Sequence, residues 1–152
     1  MQLRLARFDE ADLINELAMR SKAHWGYDTD FLAASRRVMY LSGHHVLAYR
    51  TVVAEVTGDV AGFYTLAGEP PTGELGHLFV DPTHIGTGVG RALWRHAVEA
   101  SVGLGFERFT IDSDPHAEAF YLAMGAKRTG EAPSVAIEGR MLPRLTYGTL
   151  EG

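Results

Sequence analysis

The chain has 152 residues, 46% of them hydrophobic and 22% charged, which suits one globular domain with a real core. It holds no cysteine, so disulfides, thiolate metal sites and a cysteine nucleophile are excluded. A net charge of −5 argues against nucleic acid as a partner, because phosphate attraction needs clustered lysine and arginine, and it mildly favours a cationic amine as substrate.

In chain order, Gln2–Phe8 alternates Leu3 and Leu5 with polar residues and predicts a strand. Asp9 can cap a helix with Leu13, Ile14, Leu17 and Ala18 on one face. Asp28 or Thr29 can cap a second helix through Phe31, Leu32, Val38 and Met39. Thr51–Val56 and Val60–Leu66 are apolar and β-branched, and the Thr57-Gly58-Asp59 link between them predicts a hairpin. Glu74–Val80 reads as a further strand, stopped by Asp81-Pro82. Val89, Leu93, Ala97, Ala100 and Leu104 mark a long amphipathic helix. A short strand at Phe109–Asp112, a helix from about Pro115 to Met124, and strands near Ala126–Thr129 and Leu142–Gly148 complete the chain. The order β-α-α-β-β-β-α-β-α-β-β implies an α/β fold, a mixed sheet with helices on both faces. With no repeat and no linker, we expect one domain over 1–152. No apolar run is long enough to span a bilayer and no basic segment leads into one, so no membrane partner and a cytoplasmic location are expected.

The strongest local signal is Asp81-Pro82-Thr83-His84-Ile85-Gly86-Thr87-Gly88-Val89-Gly90-Arg91-Ala92, alternating glycines between a strand and a helix. Glycine allows positive φ and close approach of a ligand. Backbone N–H groups can then face one concavity, and the helix start adds unpaired donors and the positive end of its dipole. Such a loop fits a diphosphate. It is no P-loop, since Gly-Lys-Ser/Thr is absent. It is no dinucleotide fingerprint either: read from Gly86 or from Gly88, the sixth residue is Arg91 or Leu93. A turn without a ligand is the bland alternative.

Two segments now resemble a known family. Glu74-Leu75-Gly76-His77-Leu78-Phe79-Val80-Asp81-Pro82, with the loop and Arg91-Ala92-Leu93, resembles motif A of the GNAT N-acetyltransferases. Asp114-x-x-Ala117-x-x-Phe120-Tyr121-x-x-Met124-Gly125-Ala126 resembles motif B, usually Asn-x-x-Ala-x-x-Phe-Tyr-x-x-x-Gly-Phe. Order and spacing match, and the element order fits over nearly the whole chain. The resemblance implies a central sheet of about seven strands flanked by about four helices. It implies acetyl-CoA as co-substrate, an amine of a small molecule or peptide as acceptor, and a possible homodimer. It places Leu78, Phe79 and Val80 on the pantetheine arm and thioester oxygen, and Gly86, Thr87, Gly88, Val89, Gly90 and Arg91 on the diphosphate. It sets Asp114 near the pantetheine or the leaving-group side, and Tyr121 where the family's tyrosine protonates the leaving thiolate. Two positions depart from the pattern: Ile85 stands where the family often has Gln or Arg, and Asp114 where it has Asn.

The chemistry asks for a base, because a lysine-like amine is almost wholly protonated at pH 7, at a cost of roughly 4–5 kcal/mol. Glu74 is the candidate, since strict alternation puts it on one face with Gly76, Leu78 and Val80, with His77 opposite. A solvated strand end is its alternative. Asp114 and Pro115 form a good helix start that would fix the direction of Tyr121, whose alternative is a packing tyrosine. The aromatic turn holding His24, Trp25, Tyr27 and Asp28 offers an acceptor wall, two rings to stack and a carboxylate for a cation; a lid over the core is the other reading. The seven histidines form no metal motif, so no metal is expected. Two functions stay open: direct acetyl transfer in a ternary complex, or a non-catalytic acyl-CoA sensor on the same fold.

Overall fold

The structure, a computed structural model, describes residues 1–150, so the last two residues of the expected domain lie outside it. Strand β1 (Gln2–Leu5) leads through a single 3₁₀ turn into α1 (Ala11–Ala23), α2 (Thr29–Met39) and α3 (Gly43–Ala48). Strands β2 (Val52–Val56), β3 (Asp59–Glu69) and β4 (Thr72–Val80) follow, then α4 (Val89–Leu104), β5 (Arg108–Asp112), α5 (Glu118–Ala123), β6 (Lys127–Pro133) and β7 (Met141–Gly148). The seven strands form one sheet in the order β1-β2-β3-β4-β5-β7-β6, with β4 and β5 parallel and the other neighbours antiparallel. Seven strands agree with expectation, and the helices number five. Among the described residues no helix is long and apolar enough to cross a membrane.

The expected hairpin forms at Thr57-Gly58, both with positive φ, the backbone a tight two-residue turn requires. The long helix has the expected bounds, with Leu93, Trp94 and Ala97 buried and Gly105 closing it in the left-handed conformation. Other local readings are corrected. β1 stops at Leu5 because Glu10 pulls the next turn inward: its carboxylate, 5% exposed, accepts from Arg4 and from the backbone of Arg7. Asp9 therefore caps nothing. Of the residues expected inside α1, Leu13 is exposed. In α2 the only buried residue is Ser35, and Val38 faces solvent. Helix α3 was not foreseen, although Ser42 signals it by accepting from the His45 N–H at 3.1 Å.

Two apolar clusters lie on the two faces of the sheet. One packs α4 and α5 on Leu66, Leu75, Phe109, Ile111 and Leu145. The other packs α1 and α3 on Val53 and Phe63. β4 reaches both, and a bulge decides how: Thr65 pairs with His77 but Leu66 pairs with Leu75, leaving Gly76 as an extra residue. Leu75, Leu78 and Val80 thus share the α4 face, while His77 and Phe79 lie by Phe63 on the α1 face. Glu74, next to Leu75, falls on the α1 face with His77. Strict alternation had set Glu74 with Leu78 and Val80, and the extra residue reverses it.

Candidate active site

Parallel pairing of β4 with β5 is confined to Thr72–Glu74 against Arg108–Thr110. Beyond that point β4 pairs with β3 alone and β5 with β7 alone. The strands splay, and half the backbone groups of Leu78–Val80 face the gap. A cavity of about 550 Å³ runs along this edge. Its floor is Leu78, Phe79 and Val80; its ends are the glycine loop and the wall of Trp25, Asp114, His116 and Tyr121.

Gly86, Gly88, Gly90 and Arg91 line the cavity. Gly86 and Gly88 have φ of 81° and 92°, with open space where a Cβ would stand, so conformation selects glycine there. The first i to i−4 bond of α4 runs from Ala92 to Gly88, which leaves the N–H groups of Val89, Gly90 and Arg91 without helical acceptors. The other two loop residues do not line the cavity with their side chains. Val89 is 1% exposed and packs in the core, so only its backbone can serve a ligand. Thr87 donates its hydroxyl to the His84 carbonyl.

Tyr121 sits on α5 with its ring packed on Trp94 and its side chain at the cavity wall. Burial first, and then the charge of Asp114, hold its phenol well above the ordinary range, so the hydroxyl keeps its proton at neutral pH. Among the described residues no hydrogen bond contributes to that shift.

Asp114 lines the cavity too, but α5 begins only at Glu118, and Asp114 caps the preceding turn by accepting from the His116 N–H at 2.9 Å. Its carboxylate also holds Lys22 at 3.0 Å and the Tyr27 hydroxyl at 2.8 Å. Burial alone would raise its pKa; the His116 amide and the Lys22 charge overcome that and bring it to about 2. Arg140, from the β6–β7 loop, donates to the Tyr27 hydroxyl at 3.0 Å and lies over Phe31 at 4.8 Å. Lys22, Phe31, His116 and Arg140 were not anticipated. Only their convergence from four separate segments reveals them, and no spacing in the sequence encodes it.

The expected acceptor turn is divided by this network. Trp25 faces the cavity and stacks on His116, with rings 5.1 Å apart and nearly parallel. Tyr27 is held behind it by Asp114 and Arg140. His24 is exposed at the end of α1, and Asp28 caps α2 by accepting from the Phe31 N–H at 2.8 Å. Glu74 is exposed and does not line the cavity. It lies on the opposite face of the splay, where its charge acts on Arg144, itself paired with Asp112 at 2.7 Å. His77 beside it is bonded to the Thr65 hydroxyl at 2.8 Å, and burial, then the Lys22 charge, lower its pKa to about 4, leaving a neutral ring. No group of metal-ligating side chains occurs among the described residues.

The acetyltransferase (GNAT) family model matches residues 12–126. No curated protein sequence matches the chain. Solved structures do. A GCN5-related N-acetyltransferase of Rhodopseudomonas palustris superposes with a TM-score of 0.81 at 20% identity, covering 97% of this chain and 94% of the other. The PaiA N-acetyltransferase of Thermoplasma acidophilum, in complex with coenzyme A, gives 0.79 at 15%, covering 97% and 98%. An aminoglycoside 6′-N-acetyltransferase complexed with coenzyme A gives 0.72 at 14%, covering 98% and 97%. At these identities the superpositions establish the fold, and the family model establishes the membership: this chain belongs to the GNAT acetyltransferase family.

Proposed function

We propose that the protein is an acetyl-CoA-dependent N-acetyltransferase that acts on a primary amine of a small molecule or peptide, with both substrates bound together. The observation that carries this reading is the splay of β4 from β5, opening beside the glycine loop with a protonated tyrosine on its wall. Two structures of similar fold are complexes with coenzyme A, which supports the same ligand here.

The residues fit that ligand. The loop presents backbone donors in positive-φ turns, and Arg91 has no acidic partner among the described residues. Gly86, Thr87, Gly88, Val89, Gly90 and Arg91 would hold the diphosphate, and Leu78, Phe79 and Val80 the pantetheine arm by their backbone. Asp114 flanks the arm through its position on the cavity wall. When bound, acetyl-CoA supplies a thioester carbonyl activated toward amines. Backbone N–H groups on the free edge of β4 stabilise negative charge at that carbonyl oxygen. Glu74 stands on the α1 face, so the acceptor approaches from that side, and Glu74 takes a proton from its ammonium group directly or through water. Tyr121 donates its proton to the leaving sulfur and is restored by the second proton of the attacking nitrogen. Trp25 forms the wall nearest the acceptor, with Tyr27 behind it and His24 and Asp28 at the rim.

Thiol release from acetyl-CoA over a panel of amines tests the reading. Amine-dependent release with a matching acetylated product is the expected result. Tight acetyl-CoA binding with no release for any amine would overturn catalysis and favour the acyl-CoA sensor.

A further inference from the structure

We propose that His84 is a phosphate-binding residue of this cavity, gripping the diphosphate of the cofactor as an imidazolium, so that cofactor binding takes up a proton. The proposal rests on the acetyl-CoA reading above and assigns a residue that the glycine-loop pattern does not.

His84 lines the cavity beside Ile85 and Gly86, at the diphosphate end. One ring nitrogen has a neighbour that belongs to a longer chain of hydrogen bonds. Thr83 donates its hydroxyl proton to Asp81 at 2.9 Å, and Asp81 is fixed in turn by Arg20 at 2.7 Å. The same Thr83 oxygen lies 3.0 Å from His84 Nδ1. A hydroxyl has one proton, and here it is already given to Asp81. The Thr83 oxygen must therefore accept from His84, which places a proton on Nδ1. In the neutral ring Nε2 is then an acceptor and repels a phosphate oxygen. Only the imidazolium carries a second N–H at Nε2 and can donate to one. The Arg20–Asp81–Thr83–His84 relay therefore couples phosphate contact to protonation.

The surrounding charges leave this role open. Ile85, next in the loop, offers hydrocarbon alone. From α4 the facing cation is Arg91; from α1 they are Lys22 and Arg20, of which Lys22 is committed to Asp114 and Arg20 to Asp81. Across the cavity stand His116 and Asp114, and Asp114 is the sole carboxylate on the wall among the described residues. No unpaired acid therefore holds the His84 proton before the ligand arrives. A bound diphosphate does so, and the sign follows: the complex binds the proton more tightly than the free protein, so affinity rises as pH falls.

The test is titration calorimetry at about pH 6 and about pH 8, where imidazole changes charge. The probe is dephospho-CoA, which keeps the diphosphate but lacks the 3′-phosphate that itself titrates near pH 6. Pantetheine, without phosphate, is the control. The wild type should bind dephospho-CoA about tenfold more tightly at the lower pH, the worth of one charged hydrogen bond. His84→Gln, whose amide carries no titrating charge, should show no pH dependence. His84→Arg should bind at the tighter level at both, which separates loss of charge from loss of fold. Pantetheine binding should not respond to these changes. An unaltered pH dependence in His84→Gln, or none in the wild type, overturns the proposal. Failure of dephospho-CoA to bind any of the three proteins overturns instead the acetyl-CoA reading of the cavity.

Discussion

Two walls of one cavity hold their polar groups by different means. On the α4 side the donors are backbone N–H groups, set by Gly86 and Gly88 and by the first turn of one helix. On the α1 side they are side chains from distant segments: Lys22 and Tyr27 reach Asp114 across 92 and 87 residues, and Arg140 reaches Tyr27 across 113. Backbone donors depend on conformation and survive changes such as Ile85. A side-chain network depends on each member, so single substitutions should separate the two walls.

The largest effect is expected at their junction. Tyr121→Phe removes the proton donor and nothing else, so kcat should fall about a hundredfold or more while acetyl-CoA affinity stays within about twofold. A parallel fall in affinity would make Tyr121 part of the binding wall instead. Glu74→Gln should lower kcat/KM by about tenfold or more, again with unchanged acetyl-CoA binding measured by calorimetry. Gly88→Ala tests the backbone wall alone. Its φ of 92° is strained for alanine, so stability should drop by about 1 kcal/mol and acetyl-CoA affinity by about tenfold.

Lys22→Met tests the side-chain wall. It leaves Asp114, whose side chain is 14% exposed, without its cation, and should cost about 2 kcal/mol in denaturant unfolding. Lys22→Met with Asp114→Asn should recover part of that loss, because no charge is then stranded. Both variants should raise the acceptor KM more than they weaken acetyl-CoA.

The last expectation concerns acid stability. His77 titrates near 6.5 when unfolded and at about 4 when folded, so the unfolded chain binds the proton first. Stability present above pH ~6.5 should therefore be lost as pH falls from there toward 4. His77→Gln should flatten that part of the stability–pH curve; an unchanged slope would show that other groups set it.

The difference between the walls also decides what could be read from the sequence. The glycine loop, α4 and the β2–β3 hairpin are local: a strand, a turn and a helix in one stretch, each with its own residue signal. Tyr121 was singled out through the resemblance of Asp114–Ala126 to motif B, and the fold puts it on the cavity wall. The face of Glu74 was not legible, since one bulge residue, Gly76, reverses the alternation and leaves no mark a period-two pattern would reveal. The Asp114 network was hidden more deeply. Asp114 was read as the cap of the helix carrying Tyr121; it caps the turn before that helix instead, and Lys22, Tyr27 and Arg140 meet it only because the fold brings α1 and the β6–β7 loop together. Helix α3 was lost for want of weight on Ser42, a cap signal followed by only six helical residues.

The most direct test of the account is calorimetric titration of the purified protein with acetyl-CoA, with free CoA and NADH alongside. Binding of acetyl-CoA and CoA in the micromolar range with none of NADH is the predicted result. Absence of binding by either coenzyme A species would contradict it, leaving a GNAT fold whose splayed strands and glycine loop do not serve that ligand.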